Sequence, residues 1–296
     1  MINQHFDTPG DVDLRVDNKL GPVEVRTHDK PTTEIEVSAS GDEGDEGLAK
    51  TTVKHSDTGG RHRIVVEVPG PKGLFRTWMR RESSVRVDVC VPQGASMEIL
   101  TAAGDATARG HFGQARVATA SGQVTVEGTD HDLRVRTASG DVVVGSIAGD
   151  ASIQTASGHV HCIAISGEGE IKTASGNVRV ETAGGALTVQ TASGDVSTGD
   201  LAAGCRVNTA SGDLIIGCLQ GGKARLETVT GDIDVAVSRG AVVAVDAVTV
   251  SGALSSDIDL EASEPDLPGE EDLPRLELQA RTVSGDLRIE RAAAAN

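Results

Sequence analysis

The tetrapeptide Thr-Ala-Ser-Gly recurs along the middle of the chain at a constant interval of 18 residues. Gly104, in TAAGD, stands one interval before the first copy, and looser variants such as TVTGD and TVSGD follow the last. A register held this long defines a repeat protein, in which each unit packs mainly against its neighbours. The predicted turn glycines of the repeat are Gly104, Gly122, Gly140, Gly158, Gly176, Gly194, Gly212, Gly231 and Gly285.

Each repeat alternates apolar and polar residues on both sides of its glycine. Ile or Val stands five residues before the glycine, as at Val117 and Ile153, and Val stands two residues after it, as at Val124 and Val160. This period of two predicts two short strands per repeat, joined by a Ser-Gly turn. A βαβ unit needs about 30 residues, so 18 residues suit one coil of a stack. The sequence therefore predicts an all-β fold, a single-stranded parallel β-solenoid (β-helix) with 18-residue coils, right-handed by the usual crossover preference.

The composition fits a narrow core of this kind. The 296 residues include 36 Gly, three Phe, one Trp and no Tyr, and a thin coil has room for Val, Ile, Leu, Ala and Thr but not for large rings. So few aromatic residues disfavour a sugar-binding cleft and a base-stacking surface. The formal net charge of -17 disfavours broad phosphate binding. We therefore predict no nucleic-acid partner.

Two further columns of residues accompany the glycines. Threonine stands three residues before each glycine, as at Thr119 and Thr155, and its parity predicts inward hydroxyls that bond from coil to coil. The residue after each glycine is mostly Asp or Asn, as at Asp195 and Asp213. A calcium ladder needs six to eight converging oxygens, and Gln and His interrupt this column. We therefore interpret it as turn chemistry, in which each side chain bonds its own backbone.

The regularity of the chain changes near residue 95. Residues 1–95 predict irregular N-terminal β-coils or a cap, and residues 96–296 predict the regular solenoid. Acidic loops are predicted at GDEGDEG (41–47) and at ASEPDLPGEEDLPR (262–275), the second near the C-terminal end. Because terminal coils expose pairing edges, a solenoid needs caps.

A basic and aromatic insert, GPKGLFRTWMRRESS (70–84), interrupts the N-terminal region. Its candidate contact residues for a partner or a membrane are Phe75, Arg76, Trp78, Met79, Arg80 and Arg81. The single Trp among arginines, in so acidic a chain, favours docking on an acidic protein or peripherally on an anionic membrane surface. The alternative is a short helix whose aromatic side chains cap the open end of the solenoid.

The sequence contains no motif for catalysis or for a cofactor. It has no nucleophile elbow, P-loop, His-Glu-x-x-His motif or dinucleotide fingerprint, so we predict no enzymatic activity, no catalytic residues and no cofactor. His159 and His161 share the outward face of a predicted strand. Two ligands do not form a metal site without a third, and no metal is predicted.

The cysteines and the chain's start bear on the compartment. Cys90, Cys162, Cys205 and Cys218 form no CxxC pair and are predicted to be free thiols, with Cys162 on an inward position. The first residues carry charges and no apolar leader-like run, and no stretch approaches the length of a membrane span. These features predict a cytoplasmic location.

The order of the segments resembles a known family. A leading Gly-x-Val-x-Val segment is followed by VDVCVPQGASMEILTAAGD, by the run of TASGDVxV cycles, and by RTVSGDLRIER at the end. This is similar to the bacterial β-strand-repeat family labelled "putative adhesin", whose domain is also called toastrack. The resemblance covers nearly the whole chain and implies a single-stranded β-solenoid, without catalytic residues to carry over. In some relatives the domain is linked to membrane proteins of envelope-stress systems, which implies an intracellular platform.

These features lead to one expected function and two alternatives. We expect a non-enzymatic structural or interaction scaffold with a protein partner, a cytoplasmic platform linked to envelope-stress signalling. The alternatives are a surface adhesin and a self-assembling, filament-type scaffold formed by end-to-end homo-oligomerisation. A long ordered surface without a chemical site suits all three hypotheses.

Overall fold

The computed structural model describes residues 1–70, 84–258 and 274–292. The described residues form 27 β-strands and one α-helix, which confirms the predicted all-β class. They divide into two compact units, Met1–Gly149 (unit 1) and Asp150–Asn296 (unit 2). The predicted change of regularity at residue 95 is a different kind of boundary and stays a prediction.

Unit 1 contains thirteen strands and the helix. They are β1 (Ile2–Asp7), β2 (Asp11–Asn18), β3 (Val23–His28), β4 (Thr32–Ser40), α1 (Asp42–Ala49), β5 (Thr52–Thr58), β6 (Arg61–Val68), β7 (Ser84–Pro92), β8 (Ser96–Ala103), β9 (Ala106–Phe112), β10 (Ala115–Ser121), β11 (Val124–Thr129), β12 (Leu133–Ser139) and β13 (Val142–Ile147).

The strands of unit 1 form two sheets. One has the order β1-β4-β7-β3-β9-β11-β13 and the other the order β5-β6-β2-β8-β10-β12. Three pairs are antiparallel, namely β1 with β4, β4 with β7 and β5 with β6. The remaining pairs are parallel. The antiparallel strands all precede residue 93, where the sequence is least regular.

Unit 2 contains fourteen strands. They are β14 (Ala151–Gln154), β15 (Val160–Ile165), β16 (Gly169–Lys172), β17 (Val178–Ala183), β18 (Leu187–Gln190), β19 (Val196–Leu201), β20 (Cys205–Asn208), β21 (Leu214–Leu219), β22 (Gly222–Glu227), β23 (Ile233–Val237), β24 (Val242–Ser251), β25 (Leu254–Ser256), β26 (Arg275–Ser284) and β27 (Leu287–Arg291).

All described strand pairs of unit 2 are parallel. One sheet has the order β15-β17-β19-β21-β23-β27-β25 and the other the order β14-β16-β18-β20-β22-β26-β24. Successive strands along the chain alternate between the two sheets. Stacked parallel strands connected in this way are consistent with a β-solenoid.

The core of each unit lies between its two sheets. In unit 2, Val178 pairs with Val196 and Val196 with Leu214, and these side chains are at most 1% exposed. Ile171 and Val189 form a matching column in the facing sheet. Since a shift of one residue would turn every apolar side chain outward, the burial pattern fixes the register. The two predicted apolar columns are therefore confirmed.

The segment 41–47, predicted as an acidic loop, is instead the start of α1. Two of its glycines let the helix lie close to the sheet, because Gly44 is next to the carbonyl of Ser84 and Gly47 next to Leu20 and Val85. A side chain at either position would hold the helix away. The helix ends at Ala49 and β5 begins at Thr52. One ion pair, Lys50 with Glu46 at 3.6 Å, spans the last turn of the helix.

The strand order departs from the chain order in both units. In unit 2, β26 and β27 lie between β22–β23 and β24–β25, so the last strands in sequence are not the outermost. In unit 1, β2 lies between β6 and β8, and β3 lies between β7 and β9. The 18-residue repeat does not reveal these departures, because it defines each coil but not which coils become neighbours.

Candidate interaction surface

The predicted contact residues of the insert lie outside the described residues. They are Phe75, Arg76, Trp78, Met79, Arg80 and Arg81, and most of the acidic segment 262–275 lies outside as well. In the described flanks, β6 ends at Val68 in one sheet of unit 1 and β7 begins at Ser84 in the other.

The repeat glycines lie at the turns between the two sheets. Those from Gly122 to Gly231, together with Gly285, have φ between 133° and 151°, a region that other residues rarely adopt. A Cβ on Gly194 would overlap the carbonyl oxygen of Gly176 in the preceding coil. Gly104 has no such φ, but a Cβ there would overlap the backbone of Gly21. Each glycine is thus required because a side chain there would collide with the backbone of a neighbouring coil.

The side chain after each glycine bonds the next coil rather than its own backbone. Asp195 Oδ1 accepts the N–H of Asp213 at 3.0 Å, and Asp213 Oδ1 accepts the N–H of Asp232 at 2.9 Å. Asp232 accepts in turn from Asp286 at 2.7 Å. The interpretation as local turn chemistry was wrong, because coil stacking brings the next backbone N–H within reach of each carboxylate. The column therefore joins coils.

The threonine column is buried as predicted, but most of its hydroxyls bond within their own turn. Thr155 and Thr191 are each 8% exposed, and each Oγ1 donates to a carbonyl two residues later, at 3.2 Å. Bonds to another coil occur at the less regular coils, for example from Thr282 to the carbonyl of Gly231 at 3.1 Å. The predicted coil-to-coil ladder is therefore wrong for the regular repeats.

Three arginines lie side by side on the outer face of β10 and β12, and we call Arg116, Arg134 and Arg136 the arginine patch. Arg116 and Arg134 are directly paired in the parallel register, where neighbouring strands are about 4.8 Å apart. Arg136 follows Arg134 on the same face by one period of the strand. All three side chains are exposed. Like charges opposite each other destabilise a sheet by a few tenths of a kcal/mol or more.

Little negative charge offsets the arginine patch. Glu98 of β8 lies 3.9 Å from Arg116, but it also accepts a 2.9 Å hydrogen bond from Arg15. Among the described residues, Arg134 and Arg136 form no salt bridge. Most other described arginines form salt bridges. Arg179, Arg225 and Arg288, for example, each contact the glutamate two residues further along, at 2.6, 2.7 and 2.9 Å respectively. The patch is thus a local excess of positive charge.

On the outer face of the other sheet of unit 1, the charged side chains neutralise one another. Glu24 is surrounded by three guanidinium groups, at 3.5 Å from Arg26, 2.6 Å from Arg86 and 3.4 Å from Arg109. Asp88 and Glu24 together raise the pKa of Arg86. Charges on this face therefore satisfy one another across strands.

A shallow depression of about 360 Å³ opens on this same face. Its lining includes His5, Arg26, Glu34, Asp88 and Cys90. Partial burial raises the pKa of the Cys90 thiol, and the positive charge of Arg26 offsets part of this increase. A thiol with a raised pKa is a poor nucleophile at neutral pH, so the depression offers a polar contact surface rather than a reactive group.

The cysteines of the described residues are free thiols, as predicted. Cys162 and Cys205 are fully enclosed between the sheets, and burial raises the pKa of each to about 12. Cys162 occupies the column that holds Val180 in the next coil, so it packs as a small apolar residue.

The two predicted outward histidines take part in polar contacts. His161 Nε2 lies 3.1 Å from Glu181, which also binds Arg179, and His159 Nδ1 accepts the N–H of Asn177 at 3.1 Å. Across the part of the chain that the structure describes, no three His, Cys, Asp or Glu side chains are grouped as metal ligands. None of the described helices has the length and apolar character needed to cross a membrane.

Stacked parallel strands, inward aliphatic columns and glycine-marked turns define a β-strand-repeat protein. The chain belongs to the Toastrack DUF4097 family, whose model matches residues 12–290. This confirms the resemblance seen in the sequence. A search of curated proteins found no match.

Several solved structures are similar over nearly the whole chain. A "putative adhesin" from Parabacteroides distasonis has 13% identity and a TM-score of 0.44, covering 97% of this chain and 96% of the other. A "putative lipid binding protein" from the same organism has 11% identity and a TM-score of 0.35, covering 99% and 96%. With TM-scores below 0.5, these similarities do not bear on the function of the chain.

Proposed function

We propose that the chain is a non-enzymatic scaffold that binds an acidic surface of a protein partner. We also infer that it winds right-handed in 18-residue coils and works in the cytoplasm as a platform linked to envelope-stress signalling. The crossover preference supports the winding, and the family resemblance supports the platform. The fully buried thiols, with pKa values of about 12, have no nucleophilic role at neutral pH.

The observation that carries this proposal is the arginine patch. Two in-register guanidinium groups cost stability, and Arg116 has a 3.9 Å contact to Glu98, a carboxylate that it shares with Arg15. A chain of net charge -17 has many other carboxylates that could have neutralised the pair. An acidic partner surface would supply the missing negative charge on contact and speed the encounter by electrostatic steering. Because β10 and β12 are held by sheet pairing, the three side chains project from a rigid base.

Charge reversal of the patch tests the proposal in the full chain. The variant Arg116→Glu, Arg134→Glu, Arg136→Glu is compared with Arg179→Glu, Arg225→Glu, Arg288→Glu, which changes the net charge equally but at arginines already paired within the chain. A photoreactive residue at Ala118, beside the patch, reports partners in cells by crosslinking and mass spectrometry. We expect a protein crosslink that the first variant loses and the control keeps.

Two results would contradict the proposal. One is a crosslinking pattern that the patch variant leaves unchanged. The other is loss of binding to vesicles of phosphatidylglycerol and phosphatidylethanolamine without any protein crosslink, which would assign the patch to an anionic membrane. Circular dichroism of both variants shows that the comparison is between folded chains.

The insert 70–84 supplies a second candidate contact. Its clustered Arg76, Arg80 and Arg81 in so acidic a sequence favour the same class of acidic partner. Reversal of these three charges, with pull-down and vesicle readouts, tests the assignment. Loss of folding with unchanged binding would instead assign the insert a structural role as a cap of the solenoid.

A surface adhesin remains the alternative function. Fractionation of cells that express the native protein distinguishes the two proposals. Recovery in the cytosolic fraction fits the platform, and recovery at the outer cell surface would overturn it.

A further inference from the structure

Among the described residues of unit 2, the edge formed by β24 and β25 has no further pairing strand and carries apolar side chains. β24 pairs with β26 and, among the described residues, with no other strand, and β25 likewise pairs only with β27. On β26, the inward side chains of Leu276, Leu278 and Ala280 are at most 1% exposed. Their counterparts on β24, Val243, Val245 and Ala247, are only half-buried. The stack thus ends on a coil whose core face is incomplete.

The backbone of β24 is ready to accept a further strand. Val242 donates its N–H to the carbonyl of Pro274 at 3.0 Å, so by alternation the N–H groups of Val243, Val245 and Ala247 point to the open side. Inner coils use the matching groups to bind the next coil: Ala151 donates to Glu168 at 2.8 Å and Thr155 donates to Lys172 at 2.9 Å. At β24 the same ladder has no further partner strand within the described ranges of unit 2.

Exposed valines continue this apolar surface around the turn. The regular repeats carry Ala two residues before the glycine, whereas the last three coils carry Val229, Val283 and Val250. These side chains are 52%, 49% and 76% exposed. They lie on adjacent coils, because Thr230 bridges Ser284 and Ser284 pairs with Ser251. A contiguous exposed apolar strip at an open edge marks an interaction site.

We propose that a second copy of the chain covers this edge, its β24 pairing antiparallel with the first β24 about a two-fold axis. A two-fold axis places identical strands antiparallel, so the edge is complementary to itself. β24 carries one charged residue, Asp246, and Arg281 of the neighbouring strand neutralises it at 3.3 Å. In a chain of net charge -17, this is a surface on which two copies meet without strong repulsion. The added strands extend the stacking that already joins β24 to β26.

Two charged edge strands of unit 1, β1 and β5, make end-to-end filaments unfavourable. β1 and β5 run antiparallel to their neighbours and carry His5, Asp7, Lys54 and Asp57 on their exposed positions. Charged side chains on short edge strands block further pairing. The apolar edge of β24 thus finds its match in another β24, and the assembly closes as a dimer.

Sedimentation velocity of the full chain over a wide concentration range tests this proposal. We expect a monomer–dimer equilibrium without larger species. Ala247→Pro removes one outward N–H while leaving the β26 ladder intact, and Val250→Lys places a charge in the valine strip. Each should weaken dimerisation by about tenfold or more. Ile163→Lys changes another exposed aliphatic side chain, 52% exposed, on the other sheet and should leave dimerisation unchanged.

Hydrogen exchange of the wild-type chain gives an independent readout. Protection of the amides of Val243, Val245 and Ala247 should rise with protein concentration. A monomer at every concentration, an open series of oligomers, or a dimer that both variants leave intact would overturn the proposal. None of these substitutions touches the arginine patch, so failure here and failure of the proposed function are separate outcomes.

Discussion

At the scale of single residues, the turn glycines are the most constrained positions of the chain. Gly194→Ala would place a Cβ against the carbonyl of Gly176 and hold alanine at a φ of 139°. We expect a loss of about 3 kcal/mol or more in the free energy of unfolding, measured by urea denaturation. Gly59→Ala is the control, since its φ is also positive, at 66°, but no atom lies within 4 Å; it should cost about 1 kcal/mol. Equal losses would contradict a packing role.

The buried thiols make stability depend on alkaline pH. Burial raises the pKa of Cys162 and Cys205 from 9.0 to about 12, so the folded state disfavours the thiolate that the unfolded chain forms more easily. The stabilising effect is complete below pH 9 and is lost as the pH rises toward 12. Between pH 9 and about pH 12, each thiol should lower the free energy of unfolding by about 1.4 kcal/mol per pH unit.

The variant Cys162→Val, Cys205→Ala checks this pH dependence. Val180 and Ala224 hold the same columns in adjacent coils, so the replacements suit the core. Unfolding free energies measured from pH 8 to about pH 11 should fall less steeply for the variant than for the wild type. Parallel curves would show that other groups control the alkaline loss.

At the scale of elements, the sequence predicts the strand faces well but not their hydrogen-bond partners. The alternation around Val178 and Val196 leaves only one register that buries both columns. The position of Asp213 does not reveal its acceptor role, because an Asp after a turn can reach its own backbone or a neighbouring coil. The excess charge of the arginine patch is not readable from the sequence, since it depends on which strands become neighbours.

The carboxylate column permits a test that separates hydrogen bonding from charge. Asp213→Ala removes the acceptor of the Asp232 N–H and should cost about 1 kcal/mol, reduced where water replaces the bond. Asp213→Asn keeps an oxygen acceptor and lowers repulsion from the adjacent carboxylates of Asp195 and Asp232. We expect the Asn variant to equal or exceed the wild type in thermal stability. An Asn variant as unstable as the Ala variant would contradict the inter-coil bond.

At the scale of the whole molecule, the order of strands is the feature that the sequence conceals. Every coil presents similar apolar columns, so the pattern alone does not reveal that Leu226 pairs with Ala280 and Ala280 with Ala247. The hydrophobic pattern therefore determines register within a coil but not which coils become neighbours. Because β26–β27 lie between two strand pairs that are earlier in sequence, they hold those two pairs together in one stack.

This inserted arrangement predicts that two deletions in unit 2 differ in their effect on its stability. A chain ending at Pro274 loses β26 and β27, which leaves β22–β23 and β24–β25 without the coil that joins them. A chain lacking residues 240–273, with Arg239 joined to Pro274, loses more residues but keeps a continuous stack that ends at β26–β27. We expect the first deletion to destabilise unit 2 strongly and the second to leave it folded. Hydrogen exchange at the amides of Leu226 and Val235 distinguishes the two outcomes, since protection there should fall only in the first chain. Equal protection in both chains would show that the inserted coil does not hold the stack together.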